Sequence, residues 1–546
     1  MKKVVVLITL CCLSSALIGC SGTNSILVYV SPAVVTVNEG ATLQFSSNVP
    51  VTWTVSGDGS INSAGFFTAG NSAQTVTVTA TSADASRSTG IATVTVVAPG
   101  TVTTTSSSSP SGIAHRVFVS NNYGGTSGVL NGVLNIINAD TDQISANTVT
   151  VGGTPTFMLQ TSDQTFEVVY DNSSNRFNQV TNSSETVTDR VSLPGPVAGP
   201  TSAAVVPGAT AVYAAVPSAT APLSSVPGAV YSGNFATGGL LSVSVAGARY
   251  LAMDHNAVNM LVFSQNSDSV TWVTNSTGTL TSVTGTLNAA VVSGTNCTFS
   301  RPVAAVFSDD DTTAYVLSSG PANGGTQAMV TVLNMTTSPP TCPQSPLNVA
   351  AANVGVLPDV SSGVSGTQLY VAGALQAPYM SCTASATQTC QLALTAIDTG
   401  TNPISISNTA TFNQIASSGP APNLAPNVLT FDGTNLWIGS KGCQVSVNPQ
   451  QSCLAIYFPA SGTAQANSPV PCVQNNGACN YLTDQTDDVT AMVWLKPFNG
   501  RSVMYVIEGG RLIAYFAPAV IPLNAVSPLS TNFNVAGTLI DAKAAH

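Results

Sequence analysis

Arg116-Val117-Phe118-Val119-Ser120-Asn121, Gly132-Val133-Leu134-Asn135-Ile136-Ile137 and Thr148-Val149-Thr150-Val151 are three short runs rich in β-branched residues. They are separated by the turn Asn138-Ala139-Asp140-Thr141-Asp142 and closed by Gly152-Gly153 and Pro155. Apolar runs bounded by Gly, Asn, Asp and Pro read as strands joined by polar turns. Thr156-Phe157-Met158-Leu159 opens a new cycle, so each unit holds about four strands.

The cycle recurs to the C-terminus. Runs matching the first strand stand at Thr165–Val169, Ala211–Ala215, Asn259–Phe263, Ala314–Leu317, Gln368–Val371, Asn435–Ile438 and Ser502–Val506, which with Arg116–Ser120 makes eight. Most are followed by a second match, as at Val270–Val273, Val330–Leu333, Leu392–Ile397, Leu454–Phe458 and Leu512–Phe516. Four-stranded units repeating every 40 to 50 residues or so define a β-propeller. The first unit starts at a second-strand position and lacks an innermost strand. Ring closure therefore needs a strand from the other end, within Asn532–Ala544. Eight recurrences give eight blades, and seven if a terminal unit is incomplete.

Composition agrees. Charged residues are only 7% of the 546, while Gly (45) and Pro (32) are plentiful, so many short strands fit and long charged helices do not. The net charge of −10 becomes −12 once Lys2 and Lys3 leave with the leader. Arginines stand singly, so no basic stripe exists to neutralise phosphates and nucleic-acid binding is excluded.

Residues 1–19 begin with Lys2 and Lys3, continue with an apolar run from Val4 to Leu13, and end Leu17-Ile18-Gly19 before Cys20. This reads as an export signal. The segment resembles a bacterial lipobox, which implies cleavage before Cys20, acylation of Cys20 and a membrane anchor, with Ser21 implying the outer membrane.

Residues 26–98 alternate apolar and polar positions in Val51-Thr52-Trp53-Thr54-Val55, Thr75–Ala80 and Ala92–Val96, with turns such as Gly57-Asp58-Gly59. About seven strands around one tryptophan, without cysteine, predict a small sandwich with Trp53 as its core anchor. The pattern of Val51–Trp53, Gly59–Ile61, Gly65–Ala69 and Val76–Ala80 resembles bacterial Ig-like group 2 domains. Residues 99–112, Pro-Gly-Thr-Val-Thr-Thr-Thr-Ser-Ser-Ser-Ser-Pro-Ser-Gly, have nothing to build a core and read as a linker.

Residues 113–546 are the propeller. Ala314-Tyr315-Val316 after Ser308-Asp309-Asp310-Asp311 is similar to the repeats named after a Tyr-Val-Thr-Asn core, found in surface-layer and lactonase-like propellers. The resemblance covers most of Ile113–Phe516. The expected fold is all-β: an Ig-like sandwich followed by seven to eight four-stranded blades.

Eleven cysteines less Cys11, Cys12 and Cys20 leave eight. An even number in an exported chain predicts disulfides. Proximity pairs Cys382 with Cys390, Cys443 with Cys453 and Cys472 with Cys479, leaving Cys297 with Cys342. The six clustered cysteines fall where the repeat is longest, so bonds pinning inserted loops explain them. Metal ligation by cysteine has no matching spacing.

Chemistry is sparsely signalled. The histidines are His115 at the linker edge, His255 in the turn Met253-Asp254-His255-Asn256, and His546 at the terminus. None sits in a metal-ligand, nucleophile-elbow or phosphate-loop motif, and His255 reads as an exposed turn residue. Asp309–Asp311, Asp140 with Asp142, and Asp484 with Asp487 and Asp488 could offer oxygens to calcium. All lie in expected turns, where Asp is favoured for local hydrogen bonds, so no cofactor is predicted and calcium is the alternative. Glu167, Arg176, Arg190, Arg249, Arg301 and Glu508 are other charged residues of the repeat and share no motif. The expected function is binding or scaffolding at the cell envelope, with protein or polysaccharide as partner, through the loops between Cys382 and Cys479. The alternatives are an exported hydrolase of lactonase type and a purely structural envelope component.

Overall fold

The computed structural model describes residues 28–98 except 29, 32–33, 41, 48–49 and 84–86, and residues 111–545 except 125–129, 195–198, 219–226, 265–266, 283, 359–366, 375–390, 414–424, 442–453, 460–462, 466–471, 476–477, 482–487, 499–500, 517–529, 534 and 536. The leader, Cys20, most of the linker, Cys382, Cys390, Cys443, Cys453, Asp484, Asp487 and His546 lie outside the described residues. The chain divides into two compact units, 1–103 and 104–546.

The first unit is a small β-sandwich. Val34–Asn38 runs parallel to Thr89–Val97, which continues through Gln74–Ser82 to Val51–Ser56; the second sheet joins Thr42–Gln44, Phe66–Ala69 and Gly59–Ile61. Alternation sets the core, because successive strand side chains point to opposite faces. Val76, Val78, Ala80, Val94 and Val96 are buried while the residues between them are more exposed. Trp53 is buried and packs near Phe45, with ring centres 6.3 Å apart, and Phe45 meets Phe67 edge-on at 6.0 Å.

The second unit is a ring of eight four-stranded antiparallel sheets among the described residues. Blade 1 takes its inner strand, Thr538–Ala545, from the C-terminus, and its other three, Arg116–Gly124, Leu130–Asn138 and Gln143–Gly152, from the start of the unit. The closing strand pairs along the first of these with Arg116 opposite Ala545 and Asn122 opposite Thr538. The inner strands of blades 2 to 8 are Pro155–Gln160, Ser202–Val205, Ala248–Met253, Pro302–Phe307, Val354–Val356, Ala425–Phe431 and Val489–Phe498. Each contacts the next, and the last contacts the closing strand, so the ring is complete with eight members. A hairpin, Cys472–Asn475 with Ala478–Tyr481, stands between blades 7 and 8 in sequence.

Second strands are apolar on both faces because each blade is covered on both sides by its neighbours. In blade 1, Val117 and Val119 pack with Leu495, Val503 and Tyr505 of blade 8, whereas Phe118 packs with Met158 and Val169 of blade 2. The same logic buries every residue of Ala211–Val216. Such a run carries no polar alternation, in contrast to the exposed outer strand Thr186–Ser192. At the crossover into blade 2, Gly152 has φ of 113°, and a Cβ there would lie 2.3 Å from the Asp171 carboxylate. Only glycine fits that position.

Candidate functional site: the turn face of the ring

A blade's inner strand and second strand are joined by a polar turn, and several of these turns gather around one mouth of the central channel. Lys543 from the closing strand, Met158, Leu159, Gln160 and Ser162 from blade 2, Ala203 to Val205 and Pro207 from blade 3, and Met253 to His255 from blade 4 surround an open depression of about 420 Å³. Its lining mixes apolar residues with the polar Gln160, Ser162, Asp254, His255 and Lys543.

Two polar clusters flank it. On the blade 4 side, Asp311 reaches across from the corresponding turn of blade 5. Its Oδ1 lies 2.7 Å from His255 Nδ1 and accepts the His255 backbone N–H at 3.0 Å, while Oδ2 accepts that of Asn256 at 2.9 Å. The imidazole is thus fixed on one edge, and its side chain remains 55% exposed. Asp254 is buried and accepts from the backbone of Val258 and Asn259 and from the Asn259 amide. Burial, with the nearby Asp311 charge acting in the same direction, holds its carboxyl above the ordinary range against those hydrogen bonds.

On the blade 1 side, Lys543 Nζ pairs with Asp541 Oδ1 at 2.7 Å, and Asp541 Oδ2 accepts the Met158 N–H at 3.0 Å. Behind them Glu167 is wholly buried. Its Oε1 accepts from Gln160 at 2.7 Å and Asn182 at 3.2 Å, and burial pushes its carboxyl up to about 8.

The remaining sequence candidates lie apart from this mouth or serve the framework. His115 sits 3.1 Å from Asp140, and Asp142 accepts the Tyr505 hydroxyl at 3.3 Å. Asp310 accepts from Ser308 and Thr312 inside its own turn, so the side chains of Asp310 and Asp311 diverge. The described residues hold no group of three or more His, Cys, Asp or Glu arranged for a metal ion. Arg249 stacks over Tyr250 at 5.2 Å. Arg301 lies 3.8 Å from Asp268 and Arg176 4.0 Å from Asp171. Arg190 is exposed on an outer strand, and Glu508 accepts the Tyr515 hydroxyl at 3.4 Å. Cys297 and Cys342 are joined in a disulfide; Cys472 and Cys479 lie on facing strands of the hairpin between blades 7 and 8.

His255 and Glu167 were visible as isolated polar residues, and the structure puts both beside one pocket. Gln160 carried no sequence signal as a site residue, and none was drawn from Lys543 and Asp541. One cue existed: a closing strand near the C-terminus places Asp541 and Lys543, two apart, on one face.

Fold and site together define an all-β protein in which a sandwich precedes an eight-bladed propeller with a polar mouth. No family model matches the sequence, and no curated protein matches it. Three solved structures illustrate the likeness. A putative 6-phosphogluconolactonase from Bacteroides uniformis is 11% identical over 79% of this chain and 99% of its own, with a TM-score of 0.39. The periplasmic gluconolactonase of Pseudomonas aeruginosa is 11% identical over 79% and 99%, at 0.40. The propeller domain of Cps50 (Swd1) from Myceliophteria thermophila is 10% identical over 66% and 96%, at 0.40. These likenesses are weak, and the fold rests on the strand pairing itself.

Proposed function

We propose that the chain is an exported lipoprotein, acylated at Cys20, whose propeller binds a neutral, hydroxyl-rich ligand such as the end of an envelope glycan in the mouth pocket. The observation that carries this reading is the pocket's make-up. Met158, Leu159, Ala203, Ala204, Val205 and Met253 offer an apolar surface, while Gln160, Ser162, Asp254, His255 and Lys543 offer donors and acceptors at its rim. The C–H face of a sugar ring suits the first set and its hydroxyls suit the second. Charge argues for neutrality: Lys543 is already paired with Asp541, and Asp311 stands nearby against His255. A ring also presents these groups with little ordering cost on binding.

The test is a thermal melt of the full chain with neutral oligosaccharides, acidic oligosaccharides and peptides. Neutral oligosaccharides should raise the melting temperature, and Ala204→Trp, which fills the pocket, should remove that shift. A shift only with acidic sugars or peptides, or one that survives Ala204→Trp, overturns the reading.

One observation favours a second reading, a hydrolase of lactone or ester type. Asp311 holds His255 by Nδ1 beside the pocket, the arrangement in which the other ring nitrogen serves as a general base. Turnover of a lactone and ester panel that disappears in His255→Ala would support it; binding without turnover leaves the first reading standing alone.

A further inference from the structure

The seam between blades 1 and 2 holds a buried carboxyl that neither reading uses. Glu167 stands near the start of the second strand of blade 2, and the groups facing it come from every element packed around it. The closing strand supplies Lys543 and Asp541. Blade 2 supplies Gln160 and Asn182. Arg116 of blade 1 donates to the Asn182 carbonyl at 2.8 Å and pairs with Glu185 at 2.9 Å. Asp254, His255 and Asp311 lie further off at the pocket. Glu167 Oε2, inaccessible to water, has no hydrogen-bond partner among the described residues.

The same groups anchor the closing strand. The Gln160 amide that donates to Glu167 also donates to the Ala544 carbonyl, and the Met158 N–H bonds to Asp541. Ring closure and the state of Glu167 therefore share their hydrogen bonds.

We propose that Glu167 is a proton-operated clasp on ring closure: while its carboxyl is neutral the C-terminal strand is held in blade 1 against blade 2, and loss of the proton loosens that strand selectively. A carboxylate with one oxygen buried and unbonded is the form that burial penalises, whereas the acid carries no net charge there. Burial is the largest influence and raises the group from 4.5 to about 8; Gln160, Lys543 and Asn182 pull the other way, and Asp541 reinforces the rise. The folded chain thus keeps a proton that the opened chain has already lost above its ordinary value of 4.5. Stability from this group is complete below 4.5 and is lost as pH rises towards about 8.

Hydrogen exchange of the amides of residues 538–545, corrected for base-catalysed intrinsic rates, tests this in the full chain between about pH 6 and 9. Opening of the strand should grow about tenfold per pH unit up to about pH 8. Glu167→Gln, which keeps the shape and cannot titrate, should make it flat. Lys543→Met should move the end of the rise to higher pH, because Lys543 favours the charged form. The proposal is overturned by pH-independent protection in the unaltered chain, by an unchanged slope in Glu167→Gln, or by a slope shared equally with the inner strands of all other blades. If Glu167→Gln does not fold, an unmoved endpoint in Lys543→Met is decisive against it.

Discussion

Trp437 and Asp432 show what a single residue pair contributes to a blade. Asp432 begins the turn into the second strand of blade 7, and its Oδ1 accepts the backbone N–H groups of Thr434 and Asn435 at 2.9 and 2.6 Å. Its Oδ2 accepts the indole N–H of Trp437 at 2.7 Å, with both residues buried. Trp437→Phe keeps most of the packing but strands a buried carboxylate oxygen. It should cost about 1.5–3 kcal/mol, the worth of a hydrogen bond to a charged group. A denaturant titration followed through the remaining chromophores would measure it, and a loss below about 0.5 kcal/mol, the level of a surface change, would mean that water or another donor takes the place of the indole. At this scale the sequence was partly legible. Trp437 lay in the recurrent strand run Asn435–Ile438, so its place in a second strand was plain, whereas Asp432 was not singled out. Glu167 was opaque for a physical reason: it occupies a strand position that its repeat relatives fill with apolar residues, and Asp541, which acts on it, bonds Met158 across a separation of 383 positions.

Among the elements, legibility followed burial. The second strand of each blade is covered on both faces, so it is mostly apolar and repeats visibly along the chain. Outer strands are the more solvated ones, and the shortest of them, the two-residue Leu347–Asn348 and the three-residue Thr463–Gln465, leave no pattern to read. The sandwich likewise has nine strands among the described residues against about seven expected, because pieces such as Val30–Ser31 and Ser46–Ser47 are too short to alternate. Blade 5 offers the clearest test of an element held by a cross-link. Cys297 precedes its inner strand and Cys342 follows its third, 45 positions on, and both pack against the apolar cluster between blades 4 and 5. The bond closes a loop that spans most of the blade, so in the chain-entropy view it restricts the unfolded state considerably. Replacing both cysteines by serine should lower stability by about 2–4 kcal/mol. Thermal melts with and without reductant check it: the native chain should lose stability on reduction, and the double variant should be indifferent to reductant at this blade.

At the scale of the whole molecule, one strand decides whether the propeller is a ring or a row of blades. Thr538–Ala545 fills the inner position of blade 1, pairs with Arg116–Asn122, and is contacted on its two sides by the inner strands of blades 2 and 8. Leu539, Ala542 and Ala544 complete the cluster that buries Val117 and Val119. Removing residues 538–546 would therefore expose the backbone edge of Arg116–Asn122 and open the channel wall beside the pocket, taking Lys543 with it. An uncovered strand edge pairs with whatever extended chain it meets, so the shortened protein should self-associate and melt at lower temperature, and pocket binding should vanish. Light scattering on a sizing column would report the association. A peptide of residues 538–546 added in trans should reverse it, since strand addition to a free edge supplies both the missing hydrogen bonds and the apolar contacts. A shortened chain that stays monomeric and melts unchanged would mean that blade-to-blade packing alone holds the ring, and that the C-terminal strand serves only to finish blade 1.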